Sequence, residues 1–342
     1  MIEFNQVVIE NLIFHKVGNE NHESFTNNFE IEFMSGEENE ETLRKIFLKP
    51  FGNSSATHEF KHDINLDLNP LFSLSKDIFS GDDFISKSQD IHQHLISVSK
   101  HPNIKNGDFF VMKFSNIKLG NTICEGLGVY KVENKENFIE TNSNSESLEF
   151  NFKKGIGTKR LDKACLILFT EEPFTVFIID NASSETDYWK NEFINVTYKK
   201  DHVNSTNQFL ELTKEFITEQ IPNEYDITKA DQIDLLNRSV EYFKTNETFD
   251  KKEFEDTVFQ ENEIIDSFRS FDETYQENSD LELADSFEIS AQAVKKQARI
   301  FKSVLKLDKN FHIYIHGNKE LIQQGTESDG RKFYKIYYTE EK

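Results

Sequence analysis

Cysteine is nearly missing from this sequence: Cys124 and Cys165 are the whole complement. Two thiols cannot build the disulfide framework of a small secreted domain, and neither has neighbours at zinc-ribbon spacing. A reducing, cytoplasmic compartment is expected. Proline, with 5 residues, and glycine, with 13, are scarce in a chain of 342, which argues against a flexible low-complexity tail. No apolar run approaches the ~20 residues that a membrane span needs. The opening, MIEFNQVVIENLIFHKV, places Glu3 and Glu10 where a secretory leader would carry a basic segment and an apolar core. These absences predict a soluble intracellular protein with no membrane association.

Positive charge is also short. Lys and Arg number 39 against 61 Asp and Glu, a formal net charge of −22. Such a field repels nucleic acid and anionic membranes, and favours solubility or a basic protein partner. Any nucleic-acid contact must therefore come from a local basic surface. Phenylalanine, by contrast, is abundant at 33 residues, within a hydrophobic share of 37%. That is enough for a core in a chain whose length suggests about two domains.

Residues 6–17 alternate as in a strand, with 28–33 as a partner strand. ETLRKIFLKPF, residues 41–51, reads as a short amphipathic helix. Asn69-Pro70 is an N-cap followed by proline at the first helical position, opening a helix towards Phe79. Residues 84–98 repeat apolar side chains at helical spacing. Residues 108–114, 122–132, 148–152, 164–169 and 174–179 are short β-branched or aromatic runs, as in an antiparallel meander with a hairpin at 170–173. After Ser205 the period becomes helical, over 207–221 and 228–243, with Thr228 as a cap. Residues 241–290 hold 16 acidic against 4 basic residues, a net −12, yet keep periodic Phe and Ile, which predicts a solvated acidic helical face. The expected fold is α+β. A mainly antiparallel sheet with flanking helices fills residues 1–200, and a helical domain with a terminal β-hairpin fills 201–342.

HEFKH, residues 58–62, matches the zinc-protease pattern H-E-x-x-H, whose two histidines share a metal only on a helix. The following residues alternate instead, Phe60, His62, Ile64, Leu66 and Leu68 on one parity. On a strand, residues four apart lie roughly 13 Å from each other, too far to share zinc. A nine-residue strand is expected, and no metal site. His92 and His94 point to different faces of a helix and are expected at the surface. His312, Tyr314 and His316 share one face of a strand, which predicts a polar sheet face rather than a metal site. Gly155-Ile-Gly157-Thr-Lys159 fits neither phosphate-loop spacing. With no nucleophile beside a partner, neither catalysis nor a cofactor is expected.

The basic clusters carry more. Lys153, Lys154, Lys159, Arg160 and Lys163 fall within eleven residues opposed only by Asp162, and the two glycines would let a turn offer backbone N–H groups to a phosphate. Lys199 and Lys200 add a further pair. Over residues 291–307, Val294, Ala298, Phe301 and Leu305 form an apolar stripe at helical spacing. Lys295, Arg299, Lys302 and Lys306 lie one residue later, about 100° round the same helix, and Lys296 adds to them. The lead-in LELADSFEISAQAVKK has the intervals of a helix-turn-helix, with Glu288 where such motifs favour glycine.

Several stretches carry a resemblance in the same order along the chain: NQVVIENLIFHKVG, GDFFVMKFSN, KRLDKACLILF, DYWKNEFINV, EISAQAVKKQARIFKSVLKLDKNFHIYIHG and GRKFYKIYY. Together they resemble the NdpA-like family of bacterial nucleoid-associated proteins. The resemblance implies a non-enzymatic, DNA-binding, cytoplasmic protein of the nucleoid. It assigns no catalytic residue and does not say which residues touch DNA. The basic clusters supply that expectation: DNA held through its phosphates by Lys295, Lys296, Arg299, Lys302 and Lys306, with Lys159, Arg160, Lys163, Lys199 and Lys200, in a homo-oligomer. The alternative is an acidic interaction module, in which residues 241–290 engage a basic partner such as a DNA-processing enzyme.

Overall fold

The structure, a computed structural model, describes the chain except residues 1, 20–21, 33–35, 55, 144–147, 182–187, 280–281, 299–300, 302–303, 316–320 and 341–342. Met1–Lys199 form one compact unit and Lys200–Lys342 another.

In the first unit the elements run β1 (Ile2–Glu3), β2 (Val8–Val17), α1 (Glu37–Phe47), β3 (His58–Phe60), α2 (Pro70–Ser80) and α3 (Phe84–Val98). They continue through β4 (Gly107–Leu119), β5 (Thr122–Val132), β6 (Glu136–Ser143), β7 (Leu148–Gly155), β8 (Lys163–Leu168), β9 (Thr175–Asp180) and β10 (Val196–Tyr198). Eight strands make one antiparallel sheet in the order β1-β4-β5-β8-β9-β3-β10, with β2 also on β4. Period-2 alternation sends Phe109, Val111, Leu127, Val129, Cys165 and Ile167 to one face, under α2 and α3. Met112, Phe114, Tyr130, Ala164, Leu166 and Leu168 go to the other, against Ile46 and Phe47 of α1. Both faces are covered, so β8 is a continuous buried run, KACLIL, whose apolar members each contribute roughly 1.5–3 kcal/mol for the larger side chains. Strands β6 and β7 stand apart as a separate two-stranded hairpin.

Asn69 is fully buried and holds three segments together. Its Oδ1 accepts from the Phe72 N–H at 3.0 Å, starting α2 as expected, and its Nδ2 lies 2.9–3.1 Å from the carbonyls of Lys61, Ile194 and Asn195. The nine-residue strand expected over 60–68 does not form, and the strand that begins at His58 stops at Phe60. His62 Nδ1 accepts from the N–H groups of Ile64 and Asn65, the chain turns, and Leu66–Leu68 form a 3-10 turn with Ile64 and Leu68 exposed. The partner strand expected at 28–33 is absent from its described residues; a lone backbone bond joins Ile31 N–H to Leu12 O instead. Helix α1 starts earlier than expected, with Glu37, Glu38 and Glu40 in its first turn, where the helix dipole favours carboxylates, and Arg44 and Lys45 in its last. His92 is buried rather than at the surface: its ring stacks on His15 at 4.6 Å and its Nε2 lies 3.1 Å from the Lys16 carbonyl.

The second unit is α4 (His202–Glu215), α5 (Ile221–Glu224), α6 (Lys229–Thr245), β11 (Thr248–Asp250), α7 (Lys251–Val258), α8 (Asn262–Ser279), β12 (Ser286–Glu288) and α9 (Ala291–Gln297). Two terminal hairpins follow, β13 (Val304–Leu307) with β14 (Phe311–Tyr314) and β15 (Ile322–Thr326) with β16 (Lys332–Ile336). The acidic segment is mainly helical, with β11 and β12 as short strands. Phe254 of α7, Phe259 after it, and Ile265 and Phe268 of α8 join a phenylalanine-rich core around Phe209, Phe216, Phe243 and Phe249. Ring centroids there approach to 4.1 Å, and aromatic pairs add about 0.5–1.5 kcal/mol each beyond area burial. Thr228 and Asp231 form a capping box at the start of α6.

The single helix expected over 291–307 is not formed. Helix α9 ends at Gln297, and residues 304–307 are a strand paired with 311–314. Asp308, at φ 46°, and its Oδ1 bond to the Asn310 N–H make the turn that brings Val304, Leu305 and Leu307 opposite Phe311, Ile313 and Tyr314. The helix-turn-helix reading fails too. Phe287 lies on β12 opposite Phe249, their rings stacked at 4.6 Å, so the lead-in to α9 is a strand.

Candidate nucleic-acid interface

The predicted stripe Lys295, Arg299, Lys302 and Lys306 does not share one helix. Lys295 is exposed on α9 and Lys306 on β13, whereas Arg299 and Lys302 lie outside the described residues. His316, of the histidine strand, also lies outside them. Lys296 is half-buried, its Nζ has no hydrogen-bond partner, and desolvation pulls its pKa below the usual lysine range. Lys295 lines a cavity of about 670 Å³ with Lys244, but Glu247 and Glu288 line it as well and offset the charge.

The other predicted cations divide by burial. Lys163 lies inside the sheet on β8, bonded to Asp180 at 2.7 Å, with its Nζ 5.0 Å from the centre of the Tyr188 ring. It offers no surface to a phosphate. Lys199 donates to Thr175 Oγ1 at 2.8 Å, and Lys200 pairs with Glu282 at 2.6 Å. Lys159 is 84% exposed, loosely paired with Glu136 at 3.6 Å, and Arg160 beside it is exposed. Asp162 is no surface counter-charge. It is buried, and its carboxylate accepts from the N–H groups of Glu133 and Asn134 at 2.8 and 2.9 Å and from Asn134 Nδ2 at 2.8 Å.

The glycines act differently from expectation. Neither Gly155 nor Gly157 takes a positive φ, so no N–H cradle of the alternating-handed kind forms. A Cβ at Gly155 would meet the Phe138 ring, and one at Gly157 the Glu136 carboxylate, so the residues are small because neighbours approach closely.

The structure brings Lys159 to two lysines that sequence reasoning passed over. Lys45, Lys49 and Lys159 line one cleft of about 640 Å³, with Pro50, Ser54, Thr158, Ile178, Ile179, Asp180 and Asn181. Each cation is set by its own element. Lys45 sits in the last turn of α1, whose Ile46 and Phe47 are anchored in the core, and pairs with Glu41 at 2.6 Å. Lys49 opens the 3-10 turn Lys49–Asn53 that follows, where Pro50 ends α-helical bonding. The loop bearing Lys159 is tied to the end of β9 by Asn181, whose N–H donates to Asp162 O at 2.7 Å and whose Nδ2 donates to Leu161 O at 3.0 Å. Asp180, the carboxylate of the cleft, already holds Lys163. Lys49 and Arg160 are exposed and ion-pair with no described residue. Lys45 and Lys49 were present in the sequence as charges flanking IFL, but only the fold joins them to residue 159.

Among the described residues, no group of three or more His, Cys, Asp or Glu is arranged to hold a metal ion, and no helix is long and apolar enough to cross a membrane. No curated protein sequence matches the chain. The family model described as nucleoid-associated protein YejK matches residues 13–331, which takes in most of both units, and the chain belongs to that family.

Proposed function

We propose that the protein binds DNA in the bacterial nucleoid through backbone phosphates, without catalysing a reaction, and that the cleft of Lys45, Lys49 and Lys159 is the contact. The observation that carries this reading is the convergence of three lysines from two distant segments on one concavity, in a chain whose net charge is −22. A local cationic cleft is what phosphate binding requires when the global field opposes it. Such contacts release counterions, so affinity falls steeply with salt.

The test is binding of labelled duplex and single-stranded DNA by the full chain, read by anisotropy across a salt series. The log–log slope is expected to shrink by roughly 0.9 for each phosphate contact removed. The double variant Lys49→Glu, Lys159→Glu should lose about two such steps together with most of its low-salt affinity. An unchanged slope and affinity would remove this site.

A second reading rests on α8, which exposes Glu263, Asp266, Glu273 and Glu277 while burying Ile265 and Phe268. That acidic face fits a basic protein partner. Absence of DNA binding at low salt, with partner capture lost on Asp266→Lys and Glu273→Lys, would favour it over the first.

A further inference from the structure

The β6–β7 hairpin has two unlike faces. Register pairs Ile139 with Phe152, Thr141 with Phe150, Ser143 with Leu148 and Asn137 with Lys154, so these residues share one side. On that side Ile139 is 56% exposed, Phe150 62%, Phe152 76% and Leu148 87%. The opposite side carries Glu136, Phe138, Glu140, Glu149 and Lys153, with Lys153 bonded to Glu140. Phe150 and Phe152 touch each other edge to face at 5.6 Å, and none of the four apolar side chains joins a core cluster.

An isolated two-stranded ribbon is marginal in water, and needs a third strand or a packed face to be stable. Here the apolar face is complete in sequence, yet none of the described residues covers it. We propose that this face is where two copies of the chain pair, Phe150 and Phe152 of one packing on those of the other.

Size and charge both favour a second copy. Taking large side chains at roughly 200 Å² each, the exposed parts of the four residues sum to about 560 Å², near the upper end of what a monomer leaves uncovered. Two such faces together bury about 1,100 Å², close to the lower end of specific interfaces at about 1,200 Å². The face carries no carboxylate; its one charged residue is Lys154, at the root of the hairpin. In a chain of net −22, a face without carboxylates lets two copies approach without bringing acidic groups together at the contact. A two-fold axis between Phe150 and Phe152 lays residue 148 of one copy over residue 154 of the other. The two lysines then sit at opposite ends, each near the tip that carries Glu149. DNA is a poorer occupant, because the carboxylates of Glu136, Glu140 and Glu149 outnumber Lys153 and Lys154 on the ribbon.

The experiment is the mass of the full chain in solution, by light scattering or sedimentation over a concentration series, without DNA. The outcome is thus independent of the phosphate-binding reading. Wild type is expected at twice the 40.1 kDa chain mass. Phe150→Glu with Phe152→Glu should run at the single-chain mass, and the milder Phe152→Ser should weaken association at least tenfold. Phe138→Ser, on the opposite side, should leave the dimer intact. A monomeric wild type at tens of micromolar overturns the proposal. So does a Phe150→Glu, Phe152→Glu variant that stays dimeric, or a Phe138→Ser variant that dissociates as readily as Phe152→Ser.

Discussion

Replacing Asp162 by alanine is expected to lower the stability of the N-terminal unit by about 2–4 kcal/mol. The buried carboxylate accepts from two backbone N–H groups, those of Glu133 and Asn134, and from the Asn134 side chain, all at 2.8–2.9 Å. Alanine removes every acceptor and leaves donors with no partner. Each unsatisfied buried donor costs about 1–3 kcal/mol, and Asn134, being exposed, can turn its own amide to water. Asp162→Asn keeps one acceptor oxygen and should cost about half as much. The readout is local, because Trp189 is the sole tryptophan and is fully buried in this unit. Its fluorescence during urea unfolding follows this unit. With a urea slope of about 2 kcal/mol per molar, the midpoint should fall by about 1–2 M. Hydrogen exchange should speed at residues 133 and 134, which lead into β6. A midpoint shift below about 0.25 M, or unchanged protection at those two amides, would refute the assignment of Asp162 as the clamp of the hairpin root.

Acidification should weaken the same unit. Burial holds His15, His58 and His92 at pKa values of about 4, with the neighbouring His92 adding to the effect on His15 and Lys190 to that on His58. Because those values lie below the ordinary 6.5, the unfolded chain binds more protons between the two. Stability is therefore complete above about pH 6.5 and declines towards pH 4, by roughly 1–2 kcal/mol per histidine between pH 7 and 5. A Trp189 urea midpoint that stays level from pH 7 to 5 would contradict this. Lys163→Met should leave the salt slope of DNA binding within about 0.3 of wild type, since one phosphate contact is worth ~0.9. A full step lost would return Lys163 to the interface.

Strand and helix identity was readable where one period dominated. Residues 84–98 and 122–132 came out at those bounds, and Asn69-Pro70 starts α2 through the side-chain bond that its residue types imply. Where the chain departs from its local period, the causes differ. The alternation from Phe60 to Leu68 was real but had no second sheet surface to bury, so a local turn around His62 prevailed. Across 291–307 the apolar spacing suited a helix, yet the Asp308–Asn310 turn and cross-strand pairing with 311–314 prevailed beyond Gln297. The lysine cleft was unreadable for a different reason. It joins residues 45 and 49 to residue 159, and no local pattern encodes that distance.

Asn69 also sets a limit on how the protein can be made and cut. Its amide reaches carbonyls at residues 194 and 195, over a hundred positions downstream, and β3 has β10 as its outer neighbour. During synthesis these groups stay unmatched until the chain beyond Tyr198 has left the ribosome. The N-terminal unit therefore completes its fold only when its last strand arrives, and any fragment meant to isolate it must extend past that residue.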